Sequence, residues 1–112
     1  MAEIQGPEIR YETNWSPDCD NGYCYFMRAG DNGPIKIGWT MNVRRRRQQL
    51  QAGCPWKLNV LTTIQGNPNV ESSYHEMFQD HWIRGDWFEA DKSILDFIDH
   101  LEALRREGNT NG

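Results

Sequence analysis

The chain has 112 residues, 38% of them hydrophobic and 12% aromatic, with five tryptophans, enough for one globular core and too little for two. No apolar run approaches the ~20 residues of a membrane span and no signal-peptide pattern opens the sequence, so a soluble, cytoplasmic protein with no membrane partner is expected, nucleoid association included. The net charge of −4 excludes a uniformly basic coat protein.

Residues 1–20 follow neither a helical nor a strand period and read as an irregular arm, in which Ile4, Ile9, Tyr11 and Trp15 could dock on the body. A single domain is expected over residues 21–106, and a disordered tail over residues 107–112. Charge is segregated along the chain: residues 1–22 carry a net −4, residues 23–70 a net +6 and residues 71–112 a net −6. A basic centre between acidic flanks fits a local anion site. Cys19, Cys24 and Cys54 form no C-x-x-C pair. Free thiols in a reducing compartment are therefore expected, rather than a disulfide framework or a structural zinc site.

Residues 23–28 are aromatic-rich and alternate tightly, a strand signal. Tyr23, Tyr25 and Met27 share one face, and Cys24, Phe26 and Arg28 the other. Both faces are largely apolar, which marks a central strand. Residues 29–34 are dense in turn formers and reverse the chain. Residues 35–38 return as the second strand of a hairpin. Lys36, opposite Ile35 and Ile37, is either an edge-strand solvation device or a placed cation. Thr40 or Asn42 then caps a helix. Val43 and Leu50 mark its buried stripe, Arg46 and Arg47 flank that stripe, and Arg44 and Arg45 point away. Gly53 ends this helix and Cys54-Pro55 blocks its continuation.

Residues 57–64 read as a third strand, with Leu58, Val60 and Thr62 alternating against Asn59, Leu61 and Thr63. Asn67 and Pro68 suit the N-cap and first position of a second helix. That helix is expected to bury Val70, Tyr74, Met77, Phe78 and Trp82, with Glu71 and His75 on one flank. Residues 85–89 break it. Asp91 caps a last helix with Ile94, Leu95, Ile98, Leu101 and Leu104 inward. The expected fold is α+β, ordered ββαβαα, a three-stranded sheet flanked by helices.

Tyr23-Cys24-Tyr25, Lys36-Ile37-Gly38, Arg46 and a Glu71-x-x-x-His75 pair follow one another in this order. The arrangement resembles the GIY-YIG nuclease superfamily. It is closest to the compact branch found in phage proteins and in the meiotically up-regulated group, which carries K-I-G in place of Y-I-G. The resemblance covers about residues 22–98 and includes His75, Phe78 and the Gly85-Asp86-Trp87-Phe88 segment. Three positions depart from the superfamily pattern: Cys24 for an aliphatic residue, Lys36 for the second tyrosine, and Arg47 for a leucine.

The resemblance implies a metal-dependent endonuclease acting on DNA. Tyr25 would be the general base, Arg46 the ligand of the scissile phosphate and Glu71 the holder of one Mg²⁺ or Mn²⁺. Tyr23 and Gly38 would serve as structural motif residues. The chemistry of the side chains agrees with these roles. A carboxylate suits Mg²⁺, and a guanidinium offers a bidentate fork to phosphate. A tyrosine of ordinary pKa near 10 needs a nearby cation to act as a base, and Lys36 is the candidate. His75 would orient a water or a phosphate oxygen, and Arg28, Arg44, Arg45 and Arg47 would grip flanking phosphates.

One strand would be cut per site, so double cleavage would need a homodimer, a second binding event or a DNA-targeting partner protein. The alternative is a binding module of the same fold without useful catalysis, holding nucleic acid, a nucleotide or a protein as a phage or mobile-element regulator does. A third reading is an interaction module using Trp15 and Trp56.

Overall fold

The computed structural model describes residues 22–111, with side chains through Arg106; the expected N-terminal arm, with Trp15 and Cys19, lies outside the described residues. Strands β1 (Tyr23–Ala29) and β2 (Ile35–Thr40) form the expected hairpin. Helix α1 (Val43–Ala52), strand β3 (Leu58–Gln65) and helix α2 (Pro68–Met77) follow. A 3-10 turn (Gln79–His81) leads into two short strands, β4 (Trp82–Arg84) and β5 (Trp87–Phe88), and helix α3 (Lys92–Asn111) closes the chain. The α+β class stands. The sheet, however, has five strands, in the order β3-β1-β2-β5-β4, with antiparallel neighbours. The two extra strands form a second hairpin, turned at Gly85 (φ 54°) and added to the edge of β2. They are too short to show a period-two pattern.

β1 is central because both of its faces are covered. Cys24 and Phe26 pack with Ile35, Ile37, Phe78 and Phe88 beneath α2 and α3, whose Ile94 and Ile98 join this core. Tyr25, Met27 and Ala29 pack with Leu58 and Val60 on the opposite face, where α1 contributes Val43 and Leu50. The arginine run leaves α1 without a single fully buried residue. Helix α1 starts at the Asn42 cap, whose side chain accepts from the Arg45 amide at 2.9 Å, and α2 at Asn67, which accepts from Asn69 at 2.9 Å.

Four side chains depart from the expected pattern. Met77 (58% exposed) and Trp82 (56% exposed) are not core residues, because α2 stops at Met77 and the 3-10 turn redirects the chain after Phe78. Leu104 is also exposed. Its place against β3 is taken by Glu102, which accepts from the Thr62 hydroxyl at 2.5 Å, and by Arg105, which donates to the Thr63 carbonyl. Thr62 leaves the face of Leu58 and Val60. A β-bulge lies between its pairing with Phe26 and the pairing of Val60 with Met27, and the extra residue reverses the alternation. Helix α3 continues through Gly108 to Asn111, into the segment expected to be tail. Glycine weakens a helix by about 1 kcal/mol relative to alanine without necessarily ending it.

Cys24 and Cys54 are free thiols. No helix among the described residues is long and apolar enough to cross a membrane.

Candidate functional site

β5 pairs only with Ile35 and Lys36 of β2. Beyond them that edge of the sheet is no longer paired with a strand, and the backbone groups of Ile37 find other partners. Its amide donates to the Asp86 carbonyl at 2.9 Å, and its carbonyl accepts from His75 Nε2 at 2.8 Å. Helix α2 and the β4–β5 turn therefore meet at this edge, each tied to the same residue.

Three ligand-type side chains converge there. One atom each from Glu71, His75 and Asp86 lies within 4.8 Å of the others. Glu71 and His75 share the expected helical flank. Asp86 was not assigned a role by sequence reading. Its only signal was an acid inside the Gly85–Phe88 segment, and backbone pairing across the sheet brings it in. Asp86 Oδ2 accepts from Lys36 Nζ at 3.2 Å, and its Oδ1 lies 3.8 Å from His75 Nε2. The Lys36 side chain is only 13% exposed and stands 5.5 Å from the centroid of the Trp87 ring. It is thus a placed cation and not a solvation device. A carbonyl can only accept, so Nε2 of His75 carries a proton and donates it to Ile37. The ring also packs edge-on against Phe88, 5.0 Å between centroids.

Tyr25 approaches from β1. It sits opposite Gly38 in the β1–β2 register, and a Cβ on Gly38 would overlap its Oη and Cζ. The ring therefore crosses β2 over Gly38 towards the edge where the carboxylates lie, and glycine in K-I-G is a steric requirement. The Arg46 guanidinium lies beside the Tyr25 hydroxyl, close enough to favour its ionised form. Burial pushes the Tyr25 phenol up to about 12; Arg46 opposes this, while Asp86 and Glu71 reinforce it. Burial and Asp86 likewise raise the Glu71 carboxyl, against His75, Lys36 and Arg46. Tyr25, Arg46, Glu71 and Asp86 thus form one electrostatic unit. One expectation changes here. The cation beside the Tyr25 hydroxyl is Arg46, because Lys36 is drawn to Asp86. Burial and the two carboxylates favour the protonated phenol, and Arg46 favours the phenolate.

The remaining residues divide. Arg44 and Arg45 are exposed, and Arg46 is half-buried. Arg47 donates to the Leu58 carbonyl at 3.3 Å, tying α1 to β3. Arg28 Nε donates to the Gly33 carbonyl at 3.0 Å, stapling the hairpin turn from the face of β1 opposite Tyr25. Both guanidinium groups meet backbone carbonyls away from the carboxylate cluster. Tyr23 is buried one step along the face of Tyr25.

A profile of the T5orf172 domain matches residues 22–105. The match spans the sheet, both helical layers and every residue of the site, and the chain belongs to that family. T5orf172 is a phage-associated domain related to nuclease modules. No curated protein and no solved structure matches the chain.

Proposed function

We propose that this T5orf172 protein is a metal-dependent endonuclease of the GIY-YIG type, acting on DNA. The observation that carries the reading is the meeting of the Tyr25–Arg46 pair with Glu71, His75 and Asp86 at one open strand edge. Two carboxylates suit Mg²⁺ or Mn²⁺, which take oxygen ligands and retain waters. The donor set therefore fits a divalent cation held by Glu71 and Asp86, with His75 oriented by the Ile37 carbonyl. When bound, the cation would polarise a water and offset the two carboxylates that hold the Tyr25 proton.

Hydrolysis adds water oxygen to phosphorus and breaks a phosphorus–sugar oxygen bond, with negative charge growing on the non-bridging oxygens. Arg46 has five N–H donors, so it can keep Tyr25 and still fork onto that phosphate. Tyr25, having given its own proton to solvent, would take the water's proton, and the departing sugar oxygen would take a proton from solvent. Lys36 holds Asp86 in place while the site is empty of substrate.

The test is nicking of supercoiled plasmid with Mg²⁺ or Mn²⁺. Glu71→Ala and Asp86→Ala should abolish nicking, and Arg46→Ala should lower its rate about 100-fold or more, on the scale of losing one transition-state donor. Circular dichroism should show all three folded. Persistence of nicking in Glu71→Ala would sink the assignment. The upward push on Tyr25 favours a second reading, a nucleic-acid-binding module without turnover. That protein would bind plasmid, nick nothing and ignore the metal.

A further inference from the structure

A groove of about 660 Å³ lies on the same face of the sheet as Tyr25. Its floor is the β1–β2 turn, one wall is Trp56 after α1, and the other is Ile83, Arg84 and Trp87 of the β4–β5 hairpin.

Trp56 is 62% exposed, yet its backbone is pinned. Gln51 Nε2 donates to the Trp56 carbonyl at 2.9 Å and the Cys54 carbonyl at 3.3 Å, while its Oε1 accepts from the Leu58 amide at 2.8 Å. The indole stands over Gly30. Gly30 is itself fixed, donating to the Lys57 carbonyl at 2.7 Å and accepting from Asn59 Nδ2 at 3.2 Å. A large aromatic held in place but left open to solvent is suited to contact with something outside the fold.

The groove is continuous with the candidate site. Trp87, its far wall, is the ring beneath Lys36. Along the β1–β2 register the pair Tyr25–Gly38 is followed by Met27–Lys36, and Ala29 and Pro34 beyond them line the groove. Four residues of strand span about 13 Å, a distance that a nucleic-acid strand held at Arg46 covers within a few nucleotides. Of the charged side chains that line the groove, Arg84 is a cation and Asp31 an acid, and Lys36 stands over the Trp87 ring at its far wall. Aromatic walls with cations at the border match a nucleobase and its phosphate.

We propose that this groove is a stacking subsite for an unpaired nucleobase of the strand being cut. The protein would then select nucleic acid with a single-stranded flank beside the scissile phosphate. A base inside an intact duplex is stacked on both faces and does not reach an indole wall without being flipped out. This inference rests on the nuclease reading.

The experiment compares two labelled DNA duplexes by fluorescence anisotropy without divalent metal, one blunt and one with a single-stranded oligothymidine flank. Wild type should bind the flanked duplex more tightly. Trp56→Ala should reduce that preference about 5- to 150-fold, the range expected for loss of one stacked base. Trp56→Phe should recover part of it, which separates lost stacking from a damaged fold. Met77→Ala, an exposed apolar residue outside the groove, should keep the preference. Oligothymidine should quench indole fluorescence in wild type and less in Trp56→Ala. Equal preference in wild type and a folded Trp56→Ala overturns the subsite alone. A wild type that binds no DNA overturns the nuclease reading and the subsite with it. A Trp56→Ala change confined to self-association in sedimentation assigns the groove to contact between copies, which also overturns the proposal.

Discussion

At the scale of residues, the site is a contest over protons. Tyr25 and Cys24 are neighbours on opposite faces of β1, both fully buried, and both are pushed up to about 12 chiefly by burial. The native state therefore keeps protons that the unfolded chain releases from about pH 9 for the thiol and pH 10 for the phenol. Unfolded protein binds fewer protons in that window, so stability falls as pH rises through it, by up to about 1.4 kcal/mol per pH unit for each group. Urea melts between pH 8 and 11 should show this decline, which Cys24→Ala should lessen; a flat profile would contradict the burial argument. Gly38 sets the position of the same phenol. Gly38→Ala places a methyl group where Tyr25 Oη and Cζ lie, and overpacking of that kind costs about 1–3 kcal/mol. The variant should melt earlier and lose nicking beyond what its stability loss explains, since the ring must leave Arg46 to make room. Unchanged melting and nicking would show that the ring has space to move.

Among the elements, α1 is held lightly and carries the residue that matters most at Tyr25. Val43 and Leu50 reach the core from it, Arg47 bonds the Leu58 carbonyl, and no residue of it is fully buried. Its register therefore leans on the Asn42 cap. Asn42→Ala should cost about 0.5–2 kcal/mol, a melting shift of several degrees. It should also raise the hydrogen exchange of α1 amides while leaving α3 protected. Equal exchange in the two helices would show that packing rather than capping holds α1. The cap, the arginine flank and the β1–β2 hairpin were legible because each is a local rule: a turn, an alternation, a side chain matched to a helix end. The β4–β5 hairpin and Asp86 were not. Two strands this short carry no period, and Asp86 reaches the site through a carbonyl bonded to Ile37, a partner far away in sequence. The bulge in β3 was equally hidden, since Leu61 and Thr62 look the same in either register until α3 supplies Glu102.

Across the whole molecule, the net charge of −4 conceals the working arrangement. Helix α1 carries four arginines and no acid, whereas residues 71–106 carry nine acids and four bases. Such a body should meet DNA by one face only and be repelled by the others. If Arg44, Arg45 and Arg46 each neutralise one phosphate of a duplex, the logarithm of the binding constant should fall with the logarithm of salt concentration at a slope of about −2.7. That is a loss of roughly 40-fold between 50 and 200 mM salt, modest beside proteins that make many more phosphate contacts. Replacing Arg44 and Arg45 together with alanine should bring the slope to about −0.9 with only a small shift in melting temperature, because both side chains are exposed and exposed charge contacts contribute little. The remaining salt dependence should disappear with Arg46→Ala. A slope that stays near −2.7 in the double variant would place the phosphate contacts elsewhere, with Lys57 and Arg84 beside the aromatic groove the next cations to replace. A steep slope that collapses would identify α1 as the strip along which the backbone lies, leading from the exposed arginines to Arg46 and the carboxylates behind it.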